Sequence, residues 1–274
     1  MTTFNIDSHT GSDLSRLRGT LVYTAPPTPR ATLFGVDCAA VDLAEVNTLY
    51  PLNAYHRIFP GTSGLLPDLT HKSSKLYRLP AHTVRHVSWD RWEADVFRAW
   101  LDAVVQLAPP WELWLSLNHE VNRPDKGINP ATYRTQLGEM ARVCDDYLPL
   151  VNRLSVIVTG HFLDEQGGNP APYLIDEFEL DVDRYNSRVN VYRTPEELFD
   201  PLIDAVQDVG RDSLAIPEFG GELIDAELRA NWLRDCYRYV SQAPIDAVGW
   251  WNIGGCELTD APSRETMRTI VAMQ

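Results

Sequence analysis

The sequence predicts an α/β fold, a single (β/α)8 TIM barrel. Eight short runs of aliphatic, branched and aromatic residues alternate along the chain with segments of helical periodicity. No glycine-rich phosphate loop follows an early strand, although an open doubly wound sheet usually has one there. The 274 residues suit one barrel domain, which typically needs about 250. We assign residues 32–274 to the barrel and the polar, proline-rich residues 1–31 to an extended N-terminal lead-in.

The predicted strands and helices follow each other in strict alternation for most of the chain. The strands are residues 32–37, 54–59, 83–89, 111–118, 153–161, 178–185, 213–218 and 246–253. The helices are residues 92–107, 131–146, 195–209, 226–240 and 263–272. Two helices begin with a cap residue and proline, Asn129-Pro130 and Thr194-Pro195. Glycine and serine interrupt the pattern between Phe59 and Pro80, which predicts an irregular loop in place of the second helix.

The composition narrows the range of partners. A net charge of −14 speaks against nucleic-acid binding through phosphate neutralisation. No apolar run approaches the roughly 20 residues that span a bilayer, and the first 15 residues lack the pattern of a signal peptide. The four cysteines are widely spaced and form no metal-ligand pattern or dense disulfide framework, which indicates reduced structural thiols. A bridge between Cys38 and Cys256 stays open, because they follow the first and eighth strands, which are neighbours in a barrel.

Two glutamates stand at the ends of predicted strands. Glu120 follows the apolar fourth strand and Glu218 ends the seventh, 98 residues later. That interval spans about three strand–helix units, and barrel enzymes keep catalytic groups at these strand ends. Taken singly, either residue could be a solvated loop carboxylate. Together they supply the two carboxylates that glycoside hydrolysis requires.

Other side chains are expected at the same mouth because of their positions. Alternation along the fourth strand sends Leu113, Leu115 and Leu117 toward the helices and delivers Glu120 to the mouth. The same alternation along the fifth strand places His161 there. Further residues end strands where they could contact a sugar: Asp37 and Arg57 through hydrogen bonds, and Trp89 through stacking or, alternatively, as simple core packing.

Three short motifs resemble the retaining glycoside hydrolases of clan A, and most closely family 26. They are His119-Glu120-Val-Asn122, the Glu218-Phe-Gly220 strand end and Trp250-Trp251 on the last strand. In most of that clan asparagine directly precedes the acid/base glutamate, whereas family 26 has histidine there, as in this chain. The resemblance covers roughly residues 32–274, but only these motifs are specific.

The resemblance implies a role for each matched residue. Glu120 is expected to be the acid/base and Glu218 the nucleophile, oriented by Tyr185 at the end of the sixth strand. His119 would bond the sugar or steady Glu120, unless it is a satisfied core histidine, and Asn122 would lie beside the substrate. Only one residue of Trp250-Trp251 can face the pocket, and the family points to Trp251 as the platform beneath the sugar.

The flanks of the motif depart from family 26. Mannanases of that family usually have Arg-Pro shortly before the His-Glu pair and tryptophan-rich sequence after it. This chain has Leu115-Ser-Leu-Asn118 before it and Arg123-Pro-Asp-Lys-Gly127 after it. Mannan as the substrate therefore does not follow from the resemblance.

The sequence thus predicts a retaining hydrolase of β-linked polysaccharide or oligosaccharide that needs no cofactor or metal. A non-catalytic sugar-binding barrel and a metal-dependent barrel hydrolase using His86, His119 and His161 are the alternatives. A soluble protein is expected. The compartment stays open between an intracellular enzyme, a chain recorded without its leader, and a component of a larger particle, such as a phage tail, that meets cell-surface glycan.

Overall fold

Eight parallel strands alternate with helices in the computed structural model of this chain. The described residues are 32–38, 42–59, 66, 67, 69, 75–107, 109, 111–148, 150–164, 169–186, 188 and 190–273. The strands are β1 (Leu33–Asp37), β2 (Tyr55–Ile58), β3 (Val84–Trp89), β4 (Leu113–Leu117), β5 (Val151–Thr159), β6 (Glu179–Tyr185), β7 (Leu214–Gly220) and β8 (Ile245–Trp251). The helices are α1 (Leu43–Leu49), α2 (Lys75–Arg78), α3 (Ala94–Gln106), α4 (Pro130–Cys144), α5 (Gly160–Asp164), α6 (Pro195–Asp208), α7 (Ala226–Val240) and α8 (Ala261–Ala272). The predicted lead-in lies outside the described residues.

The strands form one nearly closed ring. From β2 to β8 each strand pairs in parallel with the next one along the chain, and β8 pairs with β1. This order confirms the predicted (β/α)8 barrel, and the open doubly wound alternative is wrong. All strand ends that precede helices meet at one face of the ring, which brings Glu218 on β7 and Glu120 just beyond β4 to the same face.

The junction of β1 and β2 is built by a side chain. The Asn53 side chain accepts a hydrogen bond from the Val36 N–H (2.8 Å) and donates one to the Val36 carbonyl (3.3 Å). The side chain thereby satisfies two backbone groups that a strand ladder would otherwise pair. The strands approach closely here, because a Cβ at Gly35 would lie 1.7 Å from the carbonyl oxygen of Tyr55. Glycine is therefore required at this position.

The helix-start signals in the sequence are confirmed. Asn129 accepts hydrogen bonds from the N–H groups of Ala131 and Thr132 at the start of α4. Thr194 and Glu197 form a reciprocal capping box at the start of α6. Each cap satisfies backbone donors that the helix itself leaves without partners.

Short helices are where sequence and structure differ. We predicted no helix between the first two strands, but α1 forms there over seven residues. It buries only Leu43 and Val46, too few apolar positions to give a recognisable period. The segment between Phe59 and Pro80 contains the single turn α2 among its described residues. The predicted fifth strand ended at His161, but β5 ends at Thr159 and α5 begins directly after it.

The core has an outer and an inner part. Strand leucines such as Leu113, Leu115 and Leu117 pack against the helices in one large cluster. Inside the ring, Trp114 packs with Tyr55 and with small residues of β7 and β8. Near the opposite end from the glutamates, Arg153 bridges Asp181 (2.5 Å) and Asp246 (2.7 Å). The predicted alternation of β4 is thus confirmed.

The remaining sequence-level expectations concern the cysteines and the membrane. All four cysteines are buried free thiols, so no disulfide joins Cys38 to Cys256. Over the part of the chain that the structure describes, no helix is both long and apolar enough to cross a bilayer.

Candidate active site

Glu120 lies in a turn just beyond β4 that has left-handed backbone. Asn118 (φ 57°) and Glu120 (φ 50°) both adopt positive φ, which is costly for most side chains. The turn is held from both sides: the Asn118 N–H donates to the Trp89 carbonyl (2.7 Å) and the Val121 N–H donates to the Ile157 carbonyl (3.0 Å). These bonds to β3 and β5 fix the buried Glu120 at the barrel mouth. Strain of this kind is common at functional sites.

Glu218 lies in an irregular part of β7. The register between β7 and β8 shifts between Ile216 and Phe219, and such shifts re-aim side chains. Glycine at Gly249 permits the shift, since a Cβ there would lie 2.4 Å from the Pro217 carbonyl oxygen. The carboxylate of Glu218 is buried, its Oε2 accepts a hydrogen bond from the Tyr185 hydroxyl, and its Oε1 lies 3.3 Å from His119 Nε2.

His119 and Asp183 connect the two glutamates. His119 Nε2 lies 2.5 Å from Asp183 Oδ2, within hydrogen-bonding distance. The fully buried Arg57 stands on the other side of Asp183, with Nη1 3.9 Å from Oδ1. Glu120 influences the ionisation of His119 and Asp183 through its charge. The two glutamates therefore belong to one electrostatic cluster.

Burial dominates the ionisation of this cluster. It lowers the pKa of His119 to about 4, so the imidazole is neutral at pH 7. Burial, and then the charge of Asp183, raises the pKa of Glu218 to about 7. Burial also raises the pKa of Asp183 well above its ordinary value, although the charge of Arg57 opposes the shift. At neutral pH these carboxyl groups therefore keep more of their protons than the same groups would in water.

An aromatic wall borders the cluster. Phe59, directly after β2, meets His119 edge-on with ring centroids 5.4 Å apart, and meets Trp251 edge-on at 5.7 Å. Trp251 is half-buried at the end of β8. Trp250 is buried, and its indole N–H donates to the Cys256 carbonyl (3.1 Å). Of this pair, Trp251 lies beside the glutamate cluster and Trp250 packs in the core.

Asp37 and Arg57 are placed differently from the expectation that they contact a sugar. Asp37 is 1% exposed and Arg57 is 0% exposed, so both lie beneath the mouth. Asp37 Oδ1 accepts the backbone N–H of Arg57 (2.5 Å), and Arg57 Nη2 donates to the Ser88 hydroxyl (2.8 Å). Burial raises the pKa of Asp37 to about 8. These residues form the floor of the cluster.

Three other residues were expected to contact the sugar. Trp89 is 1% exposed and stacks on Phe97 of α3 (4.9 Å), so it packs in the core, which was the alternative reading. The Asn122 side chain accepts a hydrogen bond from the Thr159 N–H (2.9 Å) and donates one to the Thr159 carbonyl (3.2 Å). It joins the Glu120 turn to β5. His161 is an exposed residue of α5, because β5 ends two residues earlier.

Sequence reasoning missed three residues of the site: Asp183, Phe59 and Arg123. Asp183 had a readable signal, since alternation along β6 puts it on the same face as Tyr185. Phe59 ends the predicted second strand, and an apolar residue there gives no signal that separates a site residue from an ordinary strand residue. Arg123 Nη1 donates to Glu120 Oε2 (2.7 Å), a contact between residues of one loop that no strand pattern predicts.

One group in the described part of the chain has metal-ligand geometry. Ligand atoms of His119, Asp183 and Glu218 lie within 4.8 Å of one another. His86 does not belong to this group. It is fully buried, and its Nδ1 lies 2.6 Å from the Tyr55 hydroxyl. The predicted alternative in which His86, His119 and His161 share a metal is therefore wrong in its ligand set.

Comparisons with known proteins reveal the fold. No protein-family model matches the sequence, and no curated protein matches it. Solved structures that resemble it include a curdlan-specific exo-β-1,3-glucanase of family 128 from Blastomyces gilchristii, which is 14% identical. The TM-score is 0.55, and the match covers 86% of this chain and 97% of that one.

Two further structures resemble the chain to a similar degree. The endo-1,4-β-D-mannanase from Thermotoga petrophila is 13% identical, with a TM-score of 0.53 and coverage of 89% of this chain and 100% of that one. The family 30 xylanase from Clostridium acetobutylicum is 12% identical, with a TM-score of 0.51 and coverage of 89% and 72%. At this level of identity the similarity shows a shared (β/α)8 fold.

Proposed function

We propose that this chain is a retaining glycoside hydrolase of the clan A type that cleaves a β-linked polysaccharide or oligosaccharide. The observation that carries the proposal is the arrangement around Glu218. Its carboxylate is buried at the mouth of the barrel, accepts a hydrogen bond from the Tyr185 hydroxyl, lies 3.3 Å from His119 Nε2, and shares one charge cluster with Glu120. A buried, oriented carboxylate suits a nucleophile. The glycoside hydrolases among the structures that share the fold support the same reading.

The proposed cycle has two steps. Glu120 gives its proton to the glycosidic oxygen while Glu218 attacks the anomeric carbon, so the leaving sugar departs and a glycosyl-enzyme ester forms. Glu120 then removes a proton from water, which attacks the same carbon and releases Glu218. His119, Tyr185 and Trp251 border the reacting groups. Within the clan, the His119-Glu120-Val-Asn122 motif favours a relationship to family 26, while the altered flanks leave the sugar open.

The first experiment is a screen of the purified protein against β-mannans, β-xylans, β-glucans and bacterial cell-envelope polysaccharides, with and without EDTA. We expect hydrolysis that EDTA leaves unchanged, since the carboxylate mechanism needs no metal. Loss of activity with EDTA, and recovery with one divalent metal, would instead favour a metal held by His119, Asp183 and Glu218.

The second experiment assigns the roles. Glu218→Ala should abolish turnover, whereas Glu120→Ala should spare an activated aryl glycoside, whose leaving group needs no proton. Azide should rescue both variants, with inverted product from Glu218→Ala and retained product from Glu120→Ala. Glu227→Ala, an exposed glutamate in the first turn of α7, is the matched control and should behave as wild type. Wild-type activity in both site variants would refute the assignment.

A further inference from the structure

Three side chains with metal-binding atoms converge at the barrel mouth from three different strands. His119 follows β4, Asp183 lies in β6 and Glu218 lies in β7. Their ligand atoms lie within 4.8 Å of one another. The side chains of Asp183 and Glu218 are 0% and 4% exposed, whereas that of His119 is 19% exposed. The group is therefore buried on the side of the carboxylates and opens to the mouth on the side of the imidazole.

The spacing of these atoms suits a transition-metal ion. Zn²⁺ binds histidine nitrogen and carboxylate oxygen at about 2.0–2.2 Å, so neighbouring ligand atoms of a tetrahedral site lie about 3.4 Å apart. His119 Nε2 lies 3.3 Å from Glu218 Oε1, which matches this separation, and 2.5 Å from Asp183 Oδ2. The second pair would have to separate by about 1 Å, which a small rotation of one side chain provides. The ion therefore fits without movement of the strands.

Neighbouring groups orient both carboxylates. The Tyr185 hydroxyl donates to Glu218 Oε2, while Glu218 Oε1 is buried without a hydrogen-bond partner among the described residues. The Arg57 guanidinium lies 3.9 Å from Asp183 Oδ1, while Asp183 Oδ2 faces His119. Each carboxylate thus has one oxygen beside an orienting neighbour and turns the other toward the histidine. Carboxylates that bind metals are usually fixed by outer partners in this way.

The kinds of ligand atom select the class of metal. One imidazole nitrogen with two carboxylate oxygens suits Zn²⁺ and the related ions Co²⁺, Fe²⁺ and Mn²⁺, whereas Mg²⁺ and Ca²⁺ prefer oxygen ligands alone. Three protein ligands also leave a fourth position for water or another small ligand. The exposed edge of His119 puts that position on the side of the mouth.

We propose that His119, Asp183 and Glu218 bind one divalent transition-metal ion of the Zn²⁺ class, and that the bound ion blocks the hydrolysis proposed above. Metal binding stands independently of the proposed function, whereas the inhibition rests on it. Binding releases any proton held on the ligand atoms. A carboxylate bound to the ion cannot attack the anomeric carbon, so the metal-free protein is the active form.

The test uses Co²⁺ as the probe, because its visible absorption reports the ligands around the ion. Protein is freed of metal with EDTA, then of EDTA by gel filtration, and titrated with Co²⁺ at neutral pH. We expect one ion per chain and its displacement by Zn²⁺. Asp183→Asn and Glu218→Gln each remove a ligand, and Tyr185→Phe removes an outer partner. Each should raise the dissociation constant by roughly tenfold or more, since loss of an outer partner alone typically costs roughly 10–100-fold. The exposed residues His82 and Glu227 provide the controls, and His82→Gln and Glu227→Gln should bind as wild type does.

The outcomes separate the metal site from the proposed function. Absence of Co²⁺ binding by wild type, or an unchanged dissociation constant in both Asp183→Asn and Glu218→Gln, would refute the site. A thermal melt of each variant checks folding, and asparagine and glutamine keep the shapes of the side chains that they replace. If wild type hydrolyses a glycan of the screen, Zn²⁺ should inhibit it at the concentration at which it binds, and EDTA should restore the rate. Zn²⁺ binding that leaves the rate unchanged or raises it would refute the inhibition. If no glycan is cleaved, the proposed function fails, and the titration still decides whether the metal site exists.

Discussion

Asp37 makes the protein less stable as the pH rises. The carboxyl is buried, and desolvation raises its pKa from 3.8 to about 8 in the folded state. Between these values the unfolded chain releases the proton and the folded chain keeps it, so unfolding becomes easier with each pH unit. The Asp37→Asn variant removes the titration but keeps the oxygen that accepts the Arg57 N–H. We expect the variant to be more stable than wild type at neutral pH.

The size of the effect follows from proton linkage. Each pH unit above 3.8 costs wild type about 1.4 kcal/mol of unfolding free energy, which is about 4 kcal/mol by pH 7. Urea denaturation of both proteins at pH 5, 6 and 7 should therefore show a gap that widens by about 1.4 kcal/mol at each step. Asp90→Asn, an exposed aspartate after β3, is the control and should show no widening gap. A gap that stays constant from pH 5 to pH 7 would refute the burial argument.

Three further predictions test the site and the barrel. Because the pKa of Glu218 is about 7, kcat/KM should fall below about pH 7. Tyr185→Phe removes a hydrogen bond to the carboxylate and should move that acid limb up by about one pH unit. A pH profile with an unmoved limb would contradict this. Arg153→Met should lower the unfolding free energy by about 3–5 kcal/mol in urea, because it strands the buried carboxylate of Asp181; a loss under about 1 kcal/mol would show that the charge finds another partner. Asn118→Ala should melt at a lower temperature than Asn118→Gly, since the left-handed backbone at this position favours glycine by about 1 kcal/mol; equal melting temperatures would mean that the turn relaxes.

The barrel could be predicted because its signals are local and repeated. Each strand is a short apolar run, and adjacent residues such as Thr194-Pro195 indicate the caps of α4 and α6. The short helices α1 and α5 could not be predicted in the same way. Helix α1 buries only two side chains and α5 spans only five residues, so neither shows a helical period in the sequence. One consequence is that His161 lies in α5 and not at the end of a strand, because β5 ends two residues earlier than predicted.

The site was predictable only as far as strand ends reveal it. Glu120, Glu218, Tyr185 and Trp251 follow from motifs, and the structure brings them to one mouth. The burial of these side chains could not be predicted, because sequence position does not show whether a strand-end side chain lies at the surface or beneath it. Asp37 is an example, since it ends a strand as predicted but is buried. The contact of Arg123 with Glu120 depends on the shape of a loop, which alternation does not describe.

The junction between β1 and β2 is where we expect the barrel to open most easily. A ring of eight strands closed everywhere by peptide ladders would resist opening equally at every junction, but here the Asn53 side chain replaces part of the ladder. Local opening should therefore start between these two strands, and their amide protons should exchange with deuterium sooner than those of β4 to β6. The strands on either side of the junction end at Asp37 and just before Phe59, so this motion would widen one side of the mouth while the strands that carry the two glutamates stay in place.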